Sequence, residues 1–164
     1  MKITFQKIIL NIAPTIIINF FGIILLNYMF KDYTYILIIT YLFLSFYSIL
    51  PTLFLTWNYY LKNQTLILQL DKDKIEISYN NLNHQTISIE EIDFISFVGL
   101  KNNFEKYNIR FSTFDNYYYI KIQLLDSFQV ILTSLLNQNL REQFYTNYPN
   151  LNYCYKYTSF PFIK

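Results

Sequence analysis

Two uninterrupted apolar runs open the chain: residues 8–30 give 23 positions without a charge, and residues 33–61 another 29. At the helical rise the first run makes a rod about 35 Å long, enough to cross a hydrocarbon core of about 30 Å. Only Lys31 and Asp32 separate the runs. The pattern therefore predicts a two-helix transmembrane hairpin over residues 1–61, with spans over about 8–30 and 33–57. A buried helix of a soluble core is the weaker reading, because runs beyond about 18 apolar residues point to membrane spans. A cleaved leader fits poorly too: Ala13, the one alanine, lies too early for a small-residue cleavage site. Trp57, Asn58, Tyr59 and Tyr60 read as an interfacial aromatic belt ahead of Lys62.

From about residue 63 the period changes to two. Leu66, Leu68 and Leu70 alternate with Thr65, Ile67 and Gln69, and Ile75, Ile77 and Tyr79 with Lys74, Glu76 and Ser78, across the turn Asp71, Lys72, Asp73. Ile87 and Ile89 continue the pattern. Further runs cover residues 93–98, residues 107–112 (Tyr107, Ile109, Phe111), residues 118–124 (Tyr118, Ile120, Ile122, Leu124) and residues 128–133 (Phe128, Val130, Leu132). Alternation with β-branched and aromatic content marks half-buried strands. Seven in succession predict an antiparallel, mainly-β domain over residues 62–164. The period then lengthens: Leu136, Leu140, Phe144 and Tyr148 make one helical stripe over about residues 137–148, with Asn137 placed to cap it and Pro149 to stop it. In the tail Tyr153, Tyr155 and Tyr157 alternate with Cys154, Lys156 and Thr158. That segment adds an eighth strand or rests at the membrane interface, and both readings stay open.

Each apolar run carries a polar or small stripe. Asn11, Thr15, Asn19 and Gly22 share one face of the first helix; Tyr41, Ser45, Ser48, Thr52 and Thr56 share one face of the second. Such stripes bring membrane helices together, so the hairpin is expected to pack on itself, with self-association as the alternative. Pro14 and Pro51 are candidate kinks. No ionisable residue lies within either span, which argues against a transport path.

Composition sharpens this division. Hydrophobic residues make up 53% and charged residues 15%, which excludes a disordered chain. Cys154 is alone, excluding a disulfide framework. Gly22 and Gly99 are the only glycines, too few and too far apart for a phosphate-binding loop. The segment from Lys62 onward holds ten Lys or Arg against ten Asp or Glu, so it offers no basic surface for nucleic acid. The net +2 belongs to the hairpin. Lys2 and Lys7 before it, with Lys62, Lys72 and Lys74 after it, outnumber Lys31 between the spans. This bias puts both termini in the cytoplasm.

Strands followed by a closing helix, together with KIEISY, QTISIEEIDFISF and FQVILTSLL, resemble the pleckstrin-homology (PH) superfold. In particular they resemble the bacterial PH-like domains of small membrane proteins with two N-terminal spans, including the YcxB-like group. The resemblance implies a bacterial inner-membrane protein with a cytoplasmic PH-like domain. Many PH domains bind phosphoinositides through basic residues of the first hairpin loop. Here that loop is DKDK, where Lys72 and Lys74 are offset by Asp71, Asp73 and Glu76, so no lipid site is carried over.

Candidate chemistry is sparse. His84, the only histidine, sits in a polar turn and reads as a surface residue. Cys154 reads as a small apolar side chain rather than a nucleophile, with palmitoylation a remote option. Glu90, Glu91 and Asp93 form the densest acidic cluster, best explained as a solvated turn. No catalytic, cofactor-binding or metal residue is assigned. The expectation is a non-catalytic membrane protein that displays its PH-like domain to a protein partner or to itself, as a scaffold. A small immunity or envelope-stress protein is the alternative, and a lipid-binding module is less favoured. The groove between the last strand and the closing helix, or an open sheet edge, is the default place for a binding surface.

Overall fold

The two long, almost uncharged apolar runs form helices, and α1 (Phe5–Met29) and α2 (Thr34–Asn63) run through Pro14 and Pro51 without a break. They belong to a computed structural model that describes residues 1–29, 34–79, 83–105 and 116–164. The expected separator Lys31 and Asp32 lies outside the described residues. Both helices are long and apolar enough to cross a membrane. Only 11% of the most apolar stretch of α1 and 6% of that of α2 is buried within the chain, so most of this apolar surface is left uncovered by the described residues.

The polar stripes face one another. Thr15 and Thr52 hydroxyls lie 3.2 Å apart, and Asn19 donates to Ser48 Oγ at 2.9 Å while Ser48 donates back to Asn19 Oδ1 at 3.1 Å. Gly22 departs from the expected role, since a side chain there would meet nothing within 4 Å.

Beyond α2 the alternating runs become two sheets. β1 (Leu66–Leu70), β2 (Lys74–Tyr79) and β3 (Asn83–Ser88) form an antiparallel sheet with Leu68 opposite Ile77 and Ile75 opposite Ile87. β4 (Ile92–Gly99), β5 (Tyr118–Leu124), β6 (Gln129–Thr133) and β7 (Tyr153–Tyr157) form the second sheet in the order β6-β5-β4-β7. β7 runs parallel to β4, with Cys154 beside Ser96. The second sheet is therefore mixed rather than purely antiparallel. The tail can pair this way because α3 (Leu140–Asn147) intervenes between β6 and β7 as a crossover, and a parallel neighbour requires one. The run at residues 107–112, expected as the fifth strand, lies outside the described residues.

α3 is shorter than the stripe suggested. Asn139 rather than Asn137 is the cap, because Asn137 turns the chain just before it, its Oδ1 accepting from the Asn139 amide at 3.0 Å. Leu136, Leu140, Phe144 and Tyr148 close a core between the two sheets with Leu66, Leu68, Ile77, Phe97, Ile120 and Leu132. Burying each large side chain of this kind contributes about 1.5–3 kcal/mol. Tyr153 Oη lies 2.9 and 2.7 Å from the carbonyls of Phe144 and Tyr148, tying β7 to the C-terminal end of α3.

A second core lies on the opposite face of the second sheet. There Leu55 and Tyr59 of α2 pack on Val98, Tyr117, Tyr119, Leu135 and Ile163. The expected aromatic belt is thus divided: Trp57 is 61% exposed, whereas Tyr59 is fully buried. The boundary expected at residues 61/62 falls inside α2.

Candidate functional site

The junction of hairpin and sheets gathers the most specific polar chemistry among the described residues. Asn63, the last residue of α2, donates to Ile131 O at 2.9 Å and accepts from the Thr133 amide at 2.7 Å. Its carboxamide thereby serves as a neighbouring strand would for the free edge of β6. Asn58 does the same for the tail, donating to Ile163 O and accepting from the Ile163 amide, both at 3.0 Å. Tyr59 Oη donates to Pro161 O at 2.8 Å, and Thr56 and Tyr117 hydroxyls lie 2.6 Å apart. Phe54 stacks on Phe162 with centroids 5.1 Å apart. The tail thus both adds a strand and packs against α2.

The start of α1 is held as firmly. The Met1 carbonyl accepts from the Leu68 amide at 2.7 Å and the Met1 amino group donates to Leu68 O, extending the first sheet past β1. Lys7 Nζ donates to Lys2 O at 2.9 Å and to Leu136 O. Between α1 and the turn that leads into α3 lies a cavity of about 210 Å³, lined by Lys7, Leu10, Asn11, Ser134, Asn137 and Gln138 among others. Sequence reasoning had placed none of these in a site beyond the helix-packing role of Asn11. The available signal was a lysine and an asparagine one turn apart where the uncharged run begins.

The residues that the sequence singled out are structurally occupied and dispersed. His84 Nδ1 lies 2.7 Å from Ser78 Oγ across the β2–β3 pair. Cys154 Sγ lies 2.9 Å from Ser96 Oγ across the parallel pair. Glu91 Oε2 accepts from the Ser88 amide at 3.1 Å, capping the short turn Ile89–Glu91, and Asp93 falls at a bulge in β4. In the β1–β2 hairpin Lys74 pairs with Glu76 at 2.6 Å, which raises the lysine pKa through hydrogen bond and charge. No group of three His, Cys, Asp or Glu side chains converges among the described residues.

A second cavity, of about 150 Å³, adjoins Asn103, Tyr118 and Arg141. Arg141 donates to Asn103 O at 2.9 Å and lies 5.8 Å from the centre of the Phe104 ring. Burial pushes the Tyr118 phenol up to about 12, against the counter-effect of the Arg141 amide that it accepts.

Two facing sheets, a short crossover helix and a firmly docked helical hairpin define a small mainly-β module of the PH-like class. A family model described as PH domain matches residues 1–141, and the chain belongs to that family. The match takes in both apolar helices as well as the sheets and ends inside α3, ahead of β7. No curated protein and no solved structure matches the chain.

Proposed function

We propose that the protein is a non-catalytic membrane scaffold, in which α1 and α2 cross the bilayer and hold the PH-like domain at its cytoplasmic surface for binding a protein partner. The observation that carries this reading is the contrast along the hairpin. Ile16, Phe20, Phe21, Leu42, Phe43 and Phe46 expose half or more of their surface, whereas Leu55 and Tyr59 of α2 are buried against the second sheet and Asn63 is bonded to β6. A surface so apolar is stable in lipid and aggregates in water. Met1 beside β1 and Asn63 beside β6 put both ends of the hairpin against the same domain. That arrangement supports a single-sided topology, and the lysine bias favours the cytoplasm. The reading corresponds to the two-span bacterial PH-like proteins of the YcxB-like kind, which the sequence resembles.

For the partner surface we favour β7. Among the described strands it is an edge of the second sheet, with Tyr155 and Tyr157 exposed. Free strand edges recruit extended peptides through backbone hydrogen bonds, and aromatic side chains add area at low entropic cost. A photocrosslinking amino acid at Tyr157 in the full chain, in its native membrane, tests this. Reproducible protein adducts that vanish when the reporter is moved to Lys62 are expected. Adducts to lipid alone would contradict it.

A further inference from the structure

A segment that is neither helix nor strand can lie in lipid only if its backbone groups are bonded within the protein, because hydrocarbon offers no water in their place. Residues 160–163, beyond β7, come close to that condition. Thr158 Oγ1 donates to Phe160 O at 3.1 Å and accepts from the Phe160 amide at 3.3 Å. The Phe162 amide donates to Phe160 O at 2.8 Å, and Pro161 has no amide to satisfy. Tyr59 Oη donates to Pro161 O, while Asn58 both donates to and accepts from Ile163. Of the backbone groups of residues 160–163, that leaves only the Phe162 carbonyl without a partner among the described residues.

The segment rests on the lipid-facing part of α2. Phe54 stacks on Phe160 and Phe162, with centroids 6.3 and 5.1 Å apart and interplanar angles of 18° and 13°. Phe54 is 52% exposed and lies almost a turn nearer the middle of α2 than the exposed Trp57. The facing helix gives the same depth. Thr15 meets Thr52 and Asn19 meets Ser48, so Phe54 is level with residue 13, about 9 Å along α1 from Lys7. Ile163 is bonded at Asn58, beside the level of Trp57, so Lys164 emerges where its ammonium meets water.

Phe160 also joins Phe46, Tyr47, Leu50, Pro51 and Phe54 around a groove of about 370 Å³, and none of these lining residues is charged. Phe43 and Phe46 continue the exposed apolar surface toward the middle of α2.

We infer that residues 160–163 form a membrane-inserted loop, with Phe160 and Phe162 among the outer acyl-chain segments and a lipid hydrocarbon chain in the groove beside Phe160. The partner is the hydrocarbon rather than a headgroup, since the groove presents no charge. A peptide would find no free backbone edge there, because the amides of the loop are already bonded. β7 itself stays with the sheet, as the Thr158 amide donates to Gly99 O at 3.0 Å. The loop thus makes a third lipid contact beside the two spans and seats the second sheet on the membrane surface. This inference rests on the membrane-spanning reading above.

The test places a single tryptophan in the full chain, reconstituted in phosphatidylcholine vesicles. Trp57→Phe removes the only native one, and Phe160→Trp, Phe162→Trp, Phe43→Trp or Phe128→Trp is added in turn. Phe43 reports on the span, and Phe128, exposed at the start of β6, reports on water. Groups seated about 5–10 Å into the boundary of headgroups and acyl chains lie within reach of bromine on the upper chain, so the reporter at 160 should lose about half its fluorescence in vesicles brominated there. Iodide present on both sides of the vesicles should quench it several-fold less than the reporter at 128. Phe162→Trp repeats the measurement and replaces Phe160→Trp if that chain does not fold. Iodide quenching equal to that at 128, or no loss in brominated vesicles, would overturn the inference. Shielding from both quenchers would overturn it in favour of a second copy of the chain covering the groove. Absence of lipid quenching at 43 overturns the spanning reading and this inference together; lipid quenching at 43 but at neither 160 nor 162 overturns this inference alone.

Discussion

Replacing Asn63 by alanine isolates the bond between hairpin and sheet. The substitution removes the donor to Ile131 O and the acceptor for the Thr133 amide. Thr133 is fully buried, so its amide has no water to turn to. Ile131 is only partly covered, and its carbonyl can recruit one. An unsatisfied buried group costs about 1–3 kcal/mol, and a re-solvated one much less, so the expected loss is about 1–3 kcal/mol. Alanine also keeps the helix, since it is the best helix former. Backbone hydrogen exchange of the detergent-solubilised chain reads this directly. Protection of the Thr133 amide should fall by roughly 5- to 150-fold, with a matching loss in denaturant stability. A stability change under about 0.5 kcal/mol with Thr133 protection intact would show that the α2–β6 bonds do not hold the domain on its anchor.

Four further outcomes follow from the same structure. Gly99→Ala sets a Cβ 2.9 Å from both Asn103 Nδ2 and Tyr118 Cβ; because Tyr118 Cβ cannot move without its strand, a loss of about 1–3 kcal/mol in chemical denaturation is expected. Asn19→Leu breaks both bonds to Ser48 and should weaken the hairpin by about 1 kcal/mol, read as faster proteolysis of the helices in detergent. Tyr117 and Tyr118 titrate near 12 in the folded chain because burial disfavours the phenolate. Their unfolded counterparts ionise near 10, so the stabilisation they give is complete below about pH 10 and is lost as pH rises toward 12, which absorbance-monitored alkaline unfolding will show. His84→Ala removes one exposed contact to Ser78 and should change stability by under about 0.5 kcal/mol in the same unfolding assay.

Much of the domain was legible because its strands bury one face in the usual alternation, as in Leu66, Leu68, Ile75, Ile77, Ile120 and Ile122. The pattern failed where a strand is covered on both faces. Tyr119 reads as an outward residue of β5, yet Tyr59 of α2 packs on it with ring centroids 6.3 Å apart. The cover comes from a helix whose end looks, by composition, like an interfacial belt, and period alone does not reveal that it is buried in protein rather than lipid. β7 was similarly ambiguous: a short tyrosine alternation suits an edge strand and a membrane surface equally, and the parallel pairing that decides it depends on a neighbour distant in sequence. The cavity site was invisible for a related reason. Lys7 is a common flank of an apolar run and Asn11 an ordinary stripe residue until the turn before α3 closes over them.

The account depends most directly on α1 and α2 being embedded in lipid. Membranes from cells producing the full chain, washed with sodium carbonate at high pH and then with detergent, measure that property. Retention of the chain in the carbonate pellet and its release by detergent are the predicted result. Appearance of the chain in the carbonate supernatant as a soluble, monodisperse protein would contradict it.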